Sequence, residues 1–482
     1  MLKHNHAIRG AQRTRRLRLY LPRLACLIGG GLLACAAHAG TIVTDTVISQ
    51  TSAAQTSVPV TFGQVFKDGD VPQGDTLSAT LAGQPVSLQV DVKATNPDGS
   101  LRHAVLTALI PSIAADATEP LAISTASPSA SGAAVTLAQL LATQSDATAS
   151  LNIGGTVYTA DAKALLTAAN SANACAAWST QCNVWLSGPL VSEWIVNGPV
   201  KTAGGTASPN LNVYFDVRAY AGSSPGTIAY VRTDIVVGNT WAYTPQAQPQ
   251  YTATLTSGKA SYTSPPLTQY AYTRWHQNLW WSNTPQVYLQ QDTQYIQASM
   301  AVSRFEVLQP DETFLSGLRQ SCAPLDYCDQ TQAMGNTGAQ ASIGPLPQWT
   351  ATYIIDPDIR AYNWMLANTD ALGAYSIHYR DQATGWPLSI VKHPYVTLWD
   401  WSYAQGVATG GSSEAAKYAA DLLPNCTNDS VVTSCTNAWY GTCNPDTWDN
   451  AHQPDEAYVA YMVTGSYYYM AEVAFGASNN EL

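Results

Sequence analysis

Val86–Ile110 reads VSLQVDVKATNPDGSLRHAVLTALI. Its first eight residues alternate apolar and polar at period two, the pattern of a strand with one buried face. Asn96-Pro97-Asp98-Gly99-Ser100 then forms a turn, in which proline presets φ and glycine is free to take a positive φ. His103–Ile110 supplies the next strand. Ser57–Phe62 alternates less cleanly, and Leu211–Arg218 with Ile228–Val237 reads as a further adjacent pair. Strand spacing and turn chemistry predict an antiparallel β-sandwich from Thr41 to about Ser264. Ser127–Ala134 is a small, polar, linker-like run. Val135–Gln144 and Ala160–Ala172 are rich in Ala and Leu, so 135–174 reads as a small helical insertion or a seam between two halves.

After about Tyr270 the texture changes. Asp358–Leu372 has helical periodicity and ends at Gly373, and Ser413–Leu423 is Ala-rich and stops before Pro424. Asp455–Val463 and Tyr467–Phe475 read as two helices broken at Thr464-Gly465. The expected fold class is therefore α+β multidomain. A leader occupies 1–39, a β-sandwich region 40–265, and an α-helical domain 266–482, with its chemistry on long aromatic loops.

Residues 1–39 read as a secretory signal. Seven basic residues from Lys3 to Arg23 precede the short apolar run Leu24–Ala36, and Ala37-His38-Ala39 is a small-x-small cleavage site. Leu32-Leu33-Ala34-Cys35 is a poor lipobox, which argues against a lipid anchor. No later segment is apolar for long enough to span a bilayer, so the mature chain is expected outside the cytoplasm, secreted or periplasmic. The chain holds 22 Lys+Arg against 33 Asp+Glu, and without the seven leader cations the formal charge is about −18. Such a surface is not steered to nucleic acid or anionic lipid. Seven of the nine cysteines follow the leader: Cys175 with Cys182, Cys322 with Cys328, and Cys426, Cys435 and Cys443. In an exported chain these read as loop-stapling disulfides with one cysteine over. CxxC and HExxH are absent, which excludes the common zinc patterns, and no cofactor is implied. Asp446 and Asp449 could hold a structural calcium, although no EF-hand spacing supports it.

Three clusters concentrate imidazole, phenol, guanidinium and indole. The central one, His378-Tyr379-Arg380-Asp381, lies on a loop or short strand, because Gly385, Pro387 and Pro394 preclude a long helix; Trp401 closes the same stretch. Tyr and His can transfer protons while Arg holds a carboxylate; a loop salt bridge with a packed tyrosine is the structural reading. Arg274, Trp275, His276, Asn278 and Trp280 form the second, where indoles stack on sugar faces and Arg or Asn bonds hydroxyls; sealing a domain interface is the alternative. Asn450 and His452 form the third, at the entry to a tyrosine-rich helix. A hydrolase would need two carboxylates roughly 5–10 Å apart, such as Asp381 with Asp400 or Asp449. Asp455 and Glu456 are explained by the dipole of the helix they open.

Val58-Pro-Val-Thr-Phe-Gly63, Gly69-Asp-Val-Pro72 and Asp91–Ala104 resemble the β domain of bacterial exo-rhamnogalacturonan lyase-like proteins. Arg274-Trp275 with Trp280-Trp281, His378–Asp381, and His452-Gln-Pro454 followed by Tyr461 and Thr464-Gly465 resemble parts of their helical domain. The resemblance implies a polysaccharide lyase with a β-sandwich and an α/α toroid, acting by β-elimination beside a uronate. Tyr379 would be base or acid, His378 or His452 its partner, and Arg380 or Arg274 the carboxylate clamp. A full toroid needs roughly ten or more helices of about 11–12 residues, so a partial toroid in a truncated chain is expected. The partner is then a polysaccharide or oligosaccharide; glycoside hydrolysis and non-catalytic glycan binding are the alternatives. Oligomeric state is not legible.

Overall fold

A computed structural model describes residues 40–126, 132–244, 247–305, 310–333, 340–396, 421–424, 443–449 and 456–482. The expected leader and Trp401, Asn450 and His452 lie outside these residues.

Six strands come first: β1 (Thr41–Ser49), β2 (Gln55–Val65), β3 (Thr76–Leu81), β4 (Gln84–Thr95), β5 (Leu101–Ile113) and β6 (Thr118–Ala126). Eleven follow: β7 (Ala147–Ile153), β8 (Thr156–Asp161), β9 (Cys175–Ala176), β10 (Cys182–Ser187), β11 (Val191–Lys201), β12 (Ala207–Ala221), β13 (Ile228–Asn239), β14 (Gln250–Ser257), β15 (Ala260–Thr263), β16 (Leu267–Thr268) and β17 (Thr273–Trp280). A last strand, β18 (Val287–Gln290), returns to the first sheet, whose order is β18-β1-β6-β3-β4-β5-β2. The second sheet runs β15-β14-β7-β8-β11-β12-β13-β17, with β10 beside β11.

Strand β4 turns the corner of the first sheet. Its start pairs with β3 through Ala79 and Val86, while Ser87–Thr95 pairs with β5. The sheet therefore folds over itself and closes Val43, Val47, Phe62, Leu81, Leu106, Ile110 and Leu121 into one core. Each such side chain contributes roughly 1.5–3 kcal/mol on full burial. The near-continuous apolar run of β5 has its reason here. Ala104, Leu106, Ala108 and Ile110 fill that core, whereas Val105 packs on Trp185, Val191, Ile195 and Tyr220 of the second sheet. A strand buried on both faces cannot keep a polar side.

The second sheet rolls until its two ends meet. Trp275 of β17 donates its indole N–H to Tyr251 Oη of β14 at 2.8 Å, and Tyr262 of β15 packs on the same indole at 6.3 Å between ring centroids. Trp275→Phe removes that buried donor and leaves the Tyr251 hydroxyl with one partner fewer. We expect it to cost about 1–3 kcal/mol in a denaturant titration.

The fold class expected from sequence is corrected. The described chain is mostly antiparallel β, about 40% strand and 20% helix, in two nearly closed, barrel-like sheets, and the described residues show no helical toroid. Thr273–Trp280, read as the start of a helical domain, is the last strand in the order of the second sheet, paired with β13, and that sheet thus runs across position 265. The error lies in texture: Thr273 is the one β-branched residue of this strand, and its Arg, His, Gln and Asn obscure the strand pattern. The stretch 135–174 holds α1 (Leu137–Leu141) and α2 (Ala162–Ser171), and β7 and β8 between them belong to the second sheet rather than to an insertion.

The remaining helices are α3 (Thr293–Ala298), α4 (Glu312–Ser316), α5 (Gln348–Ile355), α6 (Ile359–Asp370), α7 (Ala457–Thr464) and α8 (Tyr467–Glu481). Helix α6 starts at Asp358, whose side chain accepts the Arg360 N–H. Helix α7 stops where Gly465 takes φ +64°, and α8 begins two residues later. Together α3, α5, α6 and α7 enclose Tyr353, Met365, Val459 and Val463 against Val65 of β2. Disulfides join Cys175 to Cys182 and Cys322 to Cys328, and Cys443 is also disulfide-bonded. No helix of the described residues is long and apolar enough to cross a membrane.

Candidate functional site

Period two sorts the β17 cluster. Trp275 and Leu279 enter the second core, while Arg274, His276, Asn278 and Trp280 project from the outer face. Cross-strand pairing extends that face into two rows. Glu193, Arg218, Arg232 and Trp280 stand side by side on β11, β12, β13 and β17, and Asp216, Asp234 and Asn278 form the next row.

Helix α8 lies over this face and locks it. Arg274 Nε–H donates to Glu472 Oε1 at 2.6 Å, and its Nη2 donates to the Tyr468 carbonyl at 2.9 Å. His276 stacks on the Tyr468 ring at 3.6 Å, with Nδ1 at 2.7 Å from Asp234 Oδ1 and Nε2 at 3.0 Å from Asp370 Oδ1. Burial alone would push the His276 pKa down, but Asp234 and Asp370 lift it to about 10. Burial pushes the Glu472 carboxyl up, and Arg274 with His378 outweighs it, holding it at about 2. Asp216 faces Asp234 directly; burial, then the charges of Asp234 and Glu193, drives it well above the usual range.

The sequence reading set His378, Tyr379 and Arg380 at a catalytic centre and Asp381 beside it. The structure seals all four, with 0%, 1%, 6% and 5% exposed, respectively. His378 Nε2 lies 2.7 Å from Glu472 Oε2, and Nδ1 faces the carbonyls of Tyr272 and Tyr375. Tyr379 packs on Tyr272 at 4.1 Å between ring centroids. Arg380 donates to the Gly385 carbonyl and spreads over the rings of Tyr214 and Phe475. Asp381 accepts from the Ala383 N–H and the Thr384 hydroxyl and so closes its own turn. Arg274 is likewise 4% exposed, so it does not open onto a common cleft with Tyr379. Asp446 accepts from Gln332 Nε2 at 2.8 Å, and among the described residues no group of three or more His, Cys, Asp or Glu is placed to hold a metal ion.

The open part of the cluster is a groove between β17 and α6, about 420 Å³ in volume. Gln277 and Asn278 line it from β17 and Asn363 and Asp370 from α6, and Gln320 and Tyr262 also border it. Asp370 accepts from both His276 and Tyr469 on Oδ1, which leaves Oδ2 to the groove. Asn278 Oδ1 is buried and has no hydrogen-bond partner. His276, held charged between two carboxylates, cannot take up a proton at neutral pH and serves to orient Asp370. The groove therefore offers paired donors and acceptors rather than an acid–base couple.

Of the residues singled out from sequence, Trp275, His276 and Asn278 line this groove, and Trp280 lines a second cavity. Asp370, Asn363, Gln320 and Glu472 were missed. Asn363 and Asp370 are seven residues apart on one helix and so share a face. That polar stripe was legible in Asp358–Leu372, whereas nothing in the sequence marks Gln320. No protein-family model and no curated protein matches this chain.

Proposed function

We propose that this is a secreted carbohydrate-active protein whose saccharide site is the groove between β17 and α6. The amide lining carries this reading. Gln277, Asn278, Gln320 and Asn363, with the free oxygen of Asp370, match the mixed donors and acceptors of sugar hydroxyls. The basic, apolar leader with its small-x-small end supports export, and the two disulfides are consistent with an oxidising compartment.

A polysaccharide lyase acting by β-elimination on a uronate glycan is the second reading. It is supported by the short motifs shared with exo-rhamnogalacturonan lyase-like proteins, and by a pair of arginines, Arg218 and Arg232, facing a cavity beside Trp280. Guanidinium groups there suit a carboxylate that gains enolate character.

Titrating the mature chain with neutral and uronate polysaccharides tests both. Gln320→Ala and Asn363→Ala should each weaken glycan binding by about 3- to 10-fold, the worth of one hydrogen bond, with little change in melting temperature. Wild-type binding left unchanged by both variants would remove the groove as the site. Ultraviolet absorbance of an unsaturated product in the same samples would establish elimination; binding without it would leave recognition alone.

A further inference from the structure

Helix α6 turns a mixed face to the groove. Asn363, Leu366, Ala367 and Asp370 all line it, and their spacing of three, four and seven residues sets them on one side of the helix. Polar groups therefore stand at its two ends, about 10 Å apart along the axis, with an apolar floor between them. At one end a side-chain hydrogen bond of 3.2 Å joins Asn363 to Gln320, so each amide keeps its other polar atom for the groove. At the other end Asp370 is 42% exposed, and its Oδ1 is held by His276 at 3.0 Å and Tyr469 at 2.8 Å. Its Oδ2 is left open.

No lysine or arginine is found among the described residues that line the groove. His276, the cation paired with Asp370, is sealed at 5% side-chain exposure and is shared with Asp234 at 2.7 Å. Arg232 reaches Asp234 only at 3.8 Å, and it lines the other cavity. In the loop that carries Gln320, Arg319 lies 2.5 Å from Asp326 and 3.9 Å from Asp329. Even with Arg232 counted, the acids Asp234, Asp326, Asp329 and Asp370 outnumber the cations Arg232, His276 and Arg319 by one. Of these charges, the Asp370 carboxylate alone both lines the groove and is open to solvent.

An open carboxylate with no cation beside it in the groove repels uronate, sulfate and phosphate groups. It favours an ammonium, which brings three N–H donors and makes charge-assisted hydrogen bonds. We propose that the groove selects an amino sugar and that Asp370 is the residue that sets this specificity. The ammonium sits on Asp370 Oδ2, the apolar face of the ring lies along Leu366 and Ala367, and hydroxyls reach Asn363 and Gln320. The groove volume of about 420 Å³ falls within the usual range for small-ligand sites. The assignment rests on the reading of the groove as a saccharide site; the choice of amine over acid rests on the charges alone.

The test is calorimetric titration of the full mature chain with a glucosamine tetramer, its N-acetylated counterpart, a glucuronate tetramer and tetralysine, in buffer acidic enough to keep the amines protonated. The glucosamine tetramer should bind about tenfold more tightly than the N-acetylated one, the worth of one charge-assisted hydrogen bond, and the glucuronate tetramer most weakly. Asp370→Asn should remove that advantage. Should the variant unfold, wild type still reads the charge: raising pH until the amine is neutral should bring the two tetramers to similar affinity. Equal binding of the N-acetylated tetramer, or an amine preference that survives both Asp370→Asn and neutralisation, would overturn the amine assignment and leave the groove standing. Tetralysine binding as tightly as the glucosamine tetramer would reduce the effect to general attraction of cations and overturn it too. Failure of the groove itself has a different signature, namely glucosamine-tetramer affinity unchanged in Gln320→Ala and Asn363→Ala.

Discussion

Glu472→Ala should lower folding stability by about 3–5 kcal/mol, the usual cost of stripping one partner from a buried ion pair. Glu472 is 1% exposed and engages Arg274 at 2.6 Å and His378 at 2.7 Å from opposite oxygens. Without it, Arg274 keeps only the Tyr468 carbonyl, and its charge stays buried under the rings of Tyr468 and Phe475. The double variant Arg274→Met with Glu472→Leu should recover much of the loss, because an apolar pair of similar volume carries no desolvation cost. Denaturant midpoints of the three variants measure this, and a loss below about 1 kcal/mol for Glu472→Ala would show that α8 is held by packing alone.

The same lock fixes a pH window. Glu472 has its pKa depressed from 4.5 to about 2, so its contribution is complete above pH 4.5 and is lost as pH falls toward 2. His276 is raised from 6.5 to about 10, so its contribution is complete below pH 6.5 and is lost as pH rises toward 10. The α8 contacts are strongest between those limits. Asp45 works in the opposite sense to Glu472. Burial pushes its pKa to about 7, so its ionisation opposes folding as pH rises from 3.8 toward 7. Comparing wild type with Glu472→Gln separates the two, since only the acid limb due to Glu472 should flatten.

Gly63→Ala should be the most damaging single methyl in the first sheet, at about 3 kcal/mol or more. A Cβ there would overlap the Met462 carbonyl oxygen and stand 2.8 Å from its carbon and 2.9 Å from the Gly465 nitrogen. These are backbone atoms at the end of α7, so no side chain can swing away. Helix α7 would have to lift from β2, breaking the His103 to Met462 contact of 3.1 Å and loosening the base of α8. Gly476 is the contrast within α8: a Cβ there meets nothing within 4 Å, and Gly476→Ala should stabilise by about 0.5–1 kcal/mol. Thermal melts of both, with hydrogen exchange of the α7 amides, read the outcome; equal effects would refute the close seating of α7.

Much of the local structure was legible in the chain. The turn at Asn96–Ser100 and the strands around it needed only period and turn chemistry, and the break between α7 and α8 needed only Thr464-Gly465. Helix α6 followed from its periodicity, one residue from the expected start. The polar and aromatic residues of Thr273–Trp280 stood out as a cluster, yet their element was misread. Strand and helix differ there by which neighbours they pair with, and pairing is not local.

Sequence by itself determined which short stretches could be strands or helices, where the chain turns, and the net acidity of the chain. Those are local or summed properties, and period, φ preference and charge are read within a few residues. Only the tertiary structure decided what the reactive side chains do. Arg274 and Glu472 are 198 positions apart, and His378 and Glu472 are 94 apart. Whether a histidine or arginine on the outer face of a strand meets solvent, a ligand or a helix depends on what folds over that face. Helix α8 covers Arg274 and His378, and it leaves Asn278 to the groove and Trp280 to the cavity, because it spans one part of β17 and not the other.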